Sequence, residues 1–229
     1  MTSENPLFSN VYESKHPLVR HKLTFLRRSD TGVRRFQELV HELSVLLAYE
    51  ALADLAVMET VVTTPLERAT GQILAEQVAL VPVLRAGLGM VDPIWSLIPE
   101  AQVGHIGLFR DEETLRPIQY YSKLPSASQV DVCLVLDPML ATGGSAVAAC
   151  NILRGHGMKR IKYLGLIAAP EGIARLHEVH PDVDIHVAVV DCCLNDKGYI
   201  VPGLGDAGDR LFGTKVDEAA RIPDVLGEL

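Results

Sequence analysis

Val130-Asp131-Val132-Cys133-Leu134-Val135-Leu136-Asp137-Pro138-Met139-Leu140-Ala141-Thr142-Gly143-Gly144-Ser145 is the stretch whose reading decides the fold. Its first part is a short apolar run with one acid, the pattern of a strand buried on both faces. After Ser145, Ala146 to Leu153 reads as a helix, stopped by Gly155 and Gly157. The segment between is therefore a strand-to-helix loop. A helix N-terminus presents unpaired N–H groups and a partial positive charge, so such a loop is suited to an anion. Glycines let the backbone wrap an oxyanion, and hydroxyls add donors. One contact with the helix dipole is worth only ~0.3–1 kcal/mol when exposed, so several N–H groups must converge to hold a phosphate. No Lys follows the glycines as a P-loop requires, which argues against an NTPase. A plain helix cap after a strand would account for Ser145 and one glycine, but not for the whole string.

Working outward, the same alternation recurs. Val78 to Leu84 reads as a buried strand despite Pro82, Val103 to Phe109 as a second, Ile161 to Ile167 as a fourth and Ile185 to Val190 as a fifth. Between the last two, Pro170 opens a helix and Pro181 closes it. Upstream, Val33, Phe36, Val40, Leu43 and Leu47 recur at helical spacing after the cap-forming Ser29-Asp30-Thr31, and an Ala-rich run carries the pattern to Ala56. Apolar strands alternating with helices predict an α/β fold: a mostly parallel central sheet with helices on both faces, plus a small flap. Its ligands should sit beyond the carboxyl ends of the strands, in the loops after Leu84, Leu136 and Val190. The 229 residues fit a single domain (1–229), with an N-terminal arm at 1–30, a flap at about 110–128 centred on Tyr120-Tyr121, and a C-terminal tail at 216–229. The basic stretch His16 to Arg28 reads as a solvated surface arm in preference to a phosphate or partner contact.

Composition narrows the function. The net charge of -8 disfavours binding along a nucleic-acid backbone, though not a small anion. No apolar run approaches the ~18 residues of a membrane span, and the N-terminus lacks the pattern of a signal peptide. Cys133, Cys150, Cys192 and Cys193 show no zinc or CxxC spacing, so the expectation is reduced thiols in a cytoplasmic protein, the adjacent pair pointing in different directions along an extended segment. Asp137 beside a phosphate nest would be repulsive unless it accepts hydrogen bonds from sugar hydroxyls. Together with the loop, it fits a phosphorylated ribose better than a bare phosphate.

Val135 to Ser145 closely resembles the phosphoribosyl-pyrophosphate (PRPP) loop of uracil phosphoribosyltransferases, members of the type I phosphoribosyltransferase family. Related transferases usually carry two adjacent acids where this chain has Asp137-Pro138. Arg85-Ala86-Gly87-Leu88-Gly89-Met90 resembles that family's pyrophosphate loop. Arg110-Asp111-Glu112-Glu113-Thr114 with Tyr120 to Pro125 resembles its flap, and Gly198 to Arg210 its uracil segment. The resemblance implies that PRPP is held by Arg85, Arg110, Asp137, Pro138, Met139, Leu140, Ala141, Thr142, Gly143, Gly144, Ser145 and Asp206. It gives uracil to Ile200, Gly205, Asp206 and Ala207, with Asp206 and Asp137 nearest the chemistry. It further implies Mg²⁺ carried mainly on the donor's own oxygens without direct protein ligation, a homodimer or higher homo-oligomer, and a GTP effector. Ala51-Leu52-Ala53 stands where the family often has Ala-Thr-Arg, which puts that effector in question.

The expected reaction is uracil plus PRPP giving UMP and diphosphate, in pyrimidine salvage. The transition state should be oxocarbenium-like, so catalysis would rest on positioning and charge stabilisation. Three alternatives stand beside it: phosphoribosyl transfer to another base, a nucleotide-sensing RNA regulator, and a dinucleotide enzyme suggested by Gly203-x-Gly205-x-x-Gly208. The last is set aside because Pro202 interrupts the approach, no clear helix follows, and too little chain remains for a βαβ unit.

Overall fold

The computed structural model describes residues 2–5, 8–110 and 117–214. In chain order the elements are β1 (Thr2–Asn5), β2 (Phe8–Ser14), α1 (Pro17–Arg27), α2 (Val33–Ala51), β3 (Val57–Thr63), β4 (Arg68–Leu74), β5 (Val78–Leu84), a 3₁₀ turn at Ala86–Met90, α3 (Val91–Leu97), β6 (Gln102–Val103), β7 (His105–Arg110) and β8 (Pro117–Lys123). There follow β9 (Val132–Leu136), β10 (Met139–Leu140), α4 (Gly144–His156), β11 (Ile161–Ala168), α5 (Pro170–Val179), β12 (Asp184–Val190), β13 (Cys193–Leu194), β14 (Ile200–Val201) and α6 (Ala207–Phe212).

The main sheet runs β1-β2-β12-β11-β9-β5-β7-β8. Its interior from β2 to β7 is parallel, and β1 and β8 close the two edges antiparallel. The side on which successive strands are added changes at β5: β7 lies on one flank, and β9, β11 and β12 build up on the other. Such a switch opens a crevice at the carboxyl ends of the strands. Both faces of the sheet are covered, as the pattern of apolar strands predicts. Val132, Leu134 and Leu136 of β9 face the layer of α1, α2 and α3, while Cys133 and Val135 face that of α4 and α5. A truncation such as Leu134→Ala would cost about 2–5 kcal/mol.

Several expectations need correction. The basic stretch His16 to Arg28 is not a solvated arm: Pro17 starts α1, the His16 ring accepts from Leu18 N–H at 3.1 Å, and Val19, Leu23 and Leu26 are buried. The apolar residues recur at helical spacing beneath the charges. The long helix stops at Ala51, short of Ala56, and Gly155 lies inside α4, with Gly157 (φ 100°) as its cap. Gly104 divides the expected strand at Val103 to Phe109, its N–H bonding Leu80 O at 2.9 Å. A separate two-stranded sheet, β3–β4, and the pairing of β2 on β12 had not been anticipated. Of the expected segments, residues 111–116 of the flap and the whole tail at 216–229 lie outside the described residues.

Candidate active site

The loop after β9 is built against its neighbour strand. Pro138 O accepts from Leu166 N at 2.9 Å and Ile167 N at 3.1 Å, and Leu140 O accepts from Ala169 N at 2.9 Å. Pro138 is buried and the Leu140 side chain lies in the core, so these two residues set the path of the loop. Met139 packs on the opposite layer. The chain then turns through Gly143 at φ 75°, the left-handed region that favours glycine, and α4 begins. Gly143 makes no side-chain cap, and Ser145 lies inside the helix, so the plain capping reading of this string is not realised. The helix's backbone ladder begins with Val147 N donating to Gly143 O at 2.9 Å. The N–H groups of the first turn therefore open onto a cup of about 70 Å³ lined by Asp137 and residues 139–146. A cup of that size suits a phosphate group and is too small for a base with its sugar. The Thr142 and Ser145 hydroxyls have no partner among the described residues.

A glycine outside the motif makes the cup possible. A Cβ on Gly172 of α5 would meet Ala141 O at 2.4 Å, and one on Gly143 would meet Gly172 O at 2.8 Å. The two glycines interlock, and Arg175 Nη1 donates to Thr142 O at 3.3 Å.

Asp137 sits at the rim. Its N–H bonds Leu164 O at 3.2 Å, and its carbonyl accepts from Tyr163 OH at 3.0 Å. Loss of surrounding water pushes its carboxyl up to about 7, only partly opposed by the Met139 N–H at 3.4 Å. A carboxylate with so few donors nearby is set to accept from a ligand's hydroxyls.

The loop after β5 abuts this rim. A Cβ on Gly87 would lie 2.2 Å from Leu136 O, so only glycine lets the two loops meet there. Arg85 is exposed, with Nη2 at 3.4 Å from Asp209 Oδ1. A Cβ on Gly208 would come within 3.9 Å of the same Nη2 and 3.3 Å of Asp206 Oδ1, which brings the third segment to the site. Arg110 ends β7, and its side chain lies outside the described residues.

In the third segment Ile200 and Ala207 are buried, while Gly205 (φ 81°) and Asp206 are exposed. Contrary to expectation, a helix does follow the glycines: α6, capped by Asp206 Oδ1 accepting from Asp209 N at 2.9 Å. It is six residues long and no strand–helix–strand unit follows among the described residues, so the dinucleotide reading stays rejected. The capping also gives Asp206 a structural role that the sequence reading omitted.

Residues that the sequence reading missed lock this segment in place. Arg27 forks onto Asp191, Nη1 to Oδ2 at 2.8 Å and Nη2 to Oδ1 at 2.5 Å. Arg27 Nη1 also donates to Gly203 O at 2.8 Å, and Asp191 Oδ2 accepts from Gly203 N at 3.1 Å. Both peptide groups of Gly203 are thus clamped. Arg210 adds bonds to Leu204 O at 2.7 Å and Arg28 O at 2.6 Å, with its guanidinium 4.3 Å from the centre of the Phe36 ring. Glu171 accepts from Leu194 N at 3.0 Å, tying the hairpin β13–β14 to the helix that carries Gly172. The only signal in the sequence was an Arg at the end of a basic stretch. The adjacent cysteines also differ from expectation: Cys192 lies in a bend, and the two Sγ atoms are 2.8 Å apart on one side.

The family model described as uracil phosphoribosyltransferase matches residues 13–214. The chain belongs to that family. It is 64% identical over 206 residues to a uracil phosphoribosyltransferase of Roseiflexus sp. (strain RS-1), covering 90% of this chain and 99% of the relative. It is 54% identical over 208 residues to one from Anoxybacillus flavithermus, covering 90% of this chain and 100% of the relative. The solved AQ2163 protein from Aquifex aeolicus shares the fold, with a TM-score of 0.83 and 43% identity over 90% of this chain and 99% of that one. The expected type I phosphoribosyltransferase architecture, a mostly parallel sheet with helices on both faces, is the one observed.

Proposed function

We infer that this site joins uracil to 5-phospho-α-D-ribose 1-diphosphate, giving UMP and diphosphate. The observation that carries the reading is the convergence of three loops at the switch point of the sheet, each suited to one part of the substrates. In this reading the amides of Thr142 to Ser145 and the two hydroxyls hold the 5′-phosphate. The carboxylate of Asp137 accepts from the ribose hydroxyls. Arg85 and Arg110 hold the diphosphate and balance the charge that grows on it as the C1′–O bond lengthens. Ile200, Gly205, Asp206 and Ala207 present backbone groups to the uracil edge. A backbone N–H facing O4 and a C=O facing N3–H accept uracil and leave cytosine with unpaired groups at both places. N1 attacks C1′ from the face opposite the diphosphate, and the clamped Gly203 keeps the base in line.

Mg²⁺ belongs to the proposal as a partner of the donor. Among the described residues no group of three or more His, Cys, Asp or Glu could hold a metal; in this reading the ion is carried by the diphosphate oxygens of the donor. Bound there, it would neutralise the leaving group. Two further parts rest on the family resemblance. One is a homodimer or larger homo-oligomer, supported by the exposed apolar residues of β3 and β4. The other is a GTP effector, which a titration of GTP into the assay tests; Ala51-Leu52-Ala53 adds no cation for it. A cytoplasmic location accords with the four free cysteines. No helix among the described residues is long and apolar enough to cross a membrane.

The test is purified protein with uracil, PRPP and Mg²⁺, following UMP and diphosphate. The expected outcome is equal amounts of both products, with cytosine, hypoxanthine and adenine turned over far more slowly. Turnover of one of those bases in preference to uracil would replace the reading with a different phosphoribosyl transfer.

A further inference from the structure

The thiols of Cys192 and Cys193 stand apart from the other cysteines. Cys133 of β9 and Cys150 of α4 are buried in the layer between the sheet and that helix. Cys192 is exposed, Cys193 is half-buried, and their Sγ atoms lie 2.8 Å apart. Successive residues of a regular strand face opposite ways. Here the bend at Cys192, where the chain leaves β12 and enters β13, turns both side chains to one side. The gap is less than an ångström beyond the ~2.05 Å of an S–S bond, so oxidation needs little motion of the sulfurs.

The pair is also placed where motion matters. Asp191, the residue before it, clamps Gly203 with Arg27. Cys192 N–H bonds Val201 O at 3.1 Å, and Cys193 lies opposite Val201 in the hairpin register. The residue after the pair, Leu194, is held by Glu171. A bond between the sulfurs must distort the single peptide that joins the two residues, because adjacent Cα atoms are only ~3.8 Å apart and ordinary disulfides span more. That distortion falls between the clamp and the hairpin ladder. Strained, exposed disulfides are also the readily reduced ones, so the change is reversible.

We propose that Cys192 and Cys193 form a modification site, a vicinal dithiol that a peroxide converts to a disulfide, thereby shifting the base-binding hairpin and weakening uracil binding. The uracil part rests on the reading of this hairpin as the base site. In the first step the exposed Cys192 thiol gives up its proton, the thiolate attacks a peroxide oxygen, and the O–O bond breaks to leave a sulfenic acid and hydroxide, which takes up that proton as the first water. The Cys193 thiol then attacks that sulfur, forming the S–S bond and releasing the second water. Two electrons pass from the sulfurs to the peroxide, and dithiothreitol returns them.

The experiment uses the full chain treated with hydrogen peroxide, then with dithiothreitol. Intact mass and peptide mapping should show loss of two hydrogens within the peptide containing Cys192 and Cys193, loss of alkylation at both, and recovery on reduction. The KM for uracil should rise about fivefold to tenfold, the worth of one misaligned hydrogen bond. The KM for PRPP should move by less than about twofold, since its loops are not displaced. Cys192→Ser should keep the reduced-state activity and lose the response of uracil KM to peroxide. The proposal is overturned if both thiols still alkylate after peroxide, if the disulfide forms and the uracil KM stays put, or if Cys192→Ser responds as the native chain does. Reduced protein that makes no UMP would overturn the parent reading and the uracil half of this one, while the mass shift alone decides the thiol half.

Discussion

At the scale of single residues, two ionisable groups have been moved by burial in ways that experiments can read. Asp137 has its carboxyl pushed up to about 7, so in the empty site it holds a proton through much of the neutral range. The ionised form accepts from the ribose hydroxyls with both oxygens and more strongly, whereas protonation turns one of those oxygens into a donor. The kcat/KM for PRPP should therefore rise with pH to a plateau above about 7, because that parameter reports the free enzyme. Asp137→Asn should lower kcat/KM by about 10- to 100-fold, the worth of hydrogen bonds to a charged group. It should also flatten this limb; the donor's own phosphate titrates equally in both proteins and cancels in the ratio. A variant that keeps the native limb would remove Asp137 from the donor site. His186 is moved the other way, down to about 4, first by burial and then by the charge of Lys162, with Asp54 opposing. Its ring stacks on Tyr12 at 4.7 Å, and neither ring nitrogen has a hydrogen-bond partner. The unfolded chain takes up a proton at an ordinary pKa of ~6.5, and the folded chain resists until about 4. Stability from this group is present above the unfolded value and lost as pH falls toward the folded one, by up to roughly 3 kcal/mol. Denaturant melts of His186→Phe and native protein across that window should diverge by this slope. Parallel curves would show that the ring is not held neutral.

At the scale of elements, the sequence was most informative where a local rule acts alone. The expected bounds of the β5 strand are those observed, because Val78 to Leu84 is apolar on both faces between polar flanks. The loop after β9 was legible because glycines, hydroxyls and a helix start are all local features. The clamp on Gly203 was not legible, since Arg27 and Asp191 lie 164 positions apart and each looks unremarkable in its own neighbourhood. Gly172 was hidden for the same reason: its need for a bare Cα comes from Ala141 O, which belongs to another unit of the fold. The adjacent cysteines misled because alternation applies inside a strand and Cys192 lies in the bend before one. The clamp makes α1, through its last residue, a support of the base site. Arg27→Lys keeps the charge beside Asp191 but loses the fork that bonds it and Gly203 O together. The expected effect is a uracil KM raised about tenfold, with PRPP KM within about twofold and a lowered melting transition, since buried Asp191 loses part of its pairing. A PRPP KM that rises as much as that of uracil would mean the clamp supports the whole site and not the base segment.

At the scale of the molecule, α/β layering followed from the alternation of apolar strands and helices, yet the sheet–helix logic says nothing about β3 and β4. This hairpin is a sheet of its own, and a two-stranded ribbon is marginal in water without something to pack on. Its side chains are apolar and open: Val61 is 70% exposed, Val57, Met58 and Ile73 are each 51%, and Leu66 near the tip is 95%. Beside it lies a cavity of about 590 Å³, lined by Tyr49, Leu52, Leu55, Leu74, Leu97 and Ile98. It flanks the C-terminus of α2, close to the amino end of β11, where Lys162 Nζ reaches Ala51 O at 2.7 Å. That is the end of the sheet opposite the three loops, so the volume is not a substrate site. Contiguous apolar surface of this kind is the sort that a packed partner would cover. A second copy is the simplest occupant, because a two-fold axis lets each hairpin cover the other chain with the same self-complementary patch. Sedimentation of the full chain at micromolar concentration should give twice the chain mass. Val61→Asp puts a charge on a side chain that already faces water in the single chain, so it should leave the fold intact and yield the single-chain mass. A native protein that sediments as one chain, or a Val61→Asp variant that stays paired, would show that the hairpin stands without a partner of its own kind.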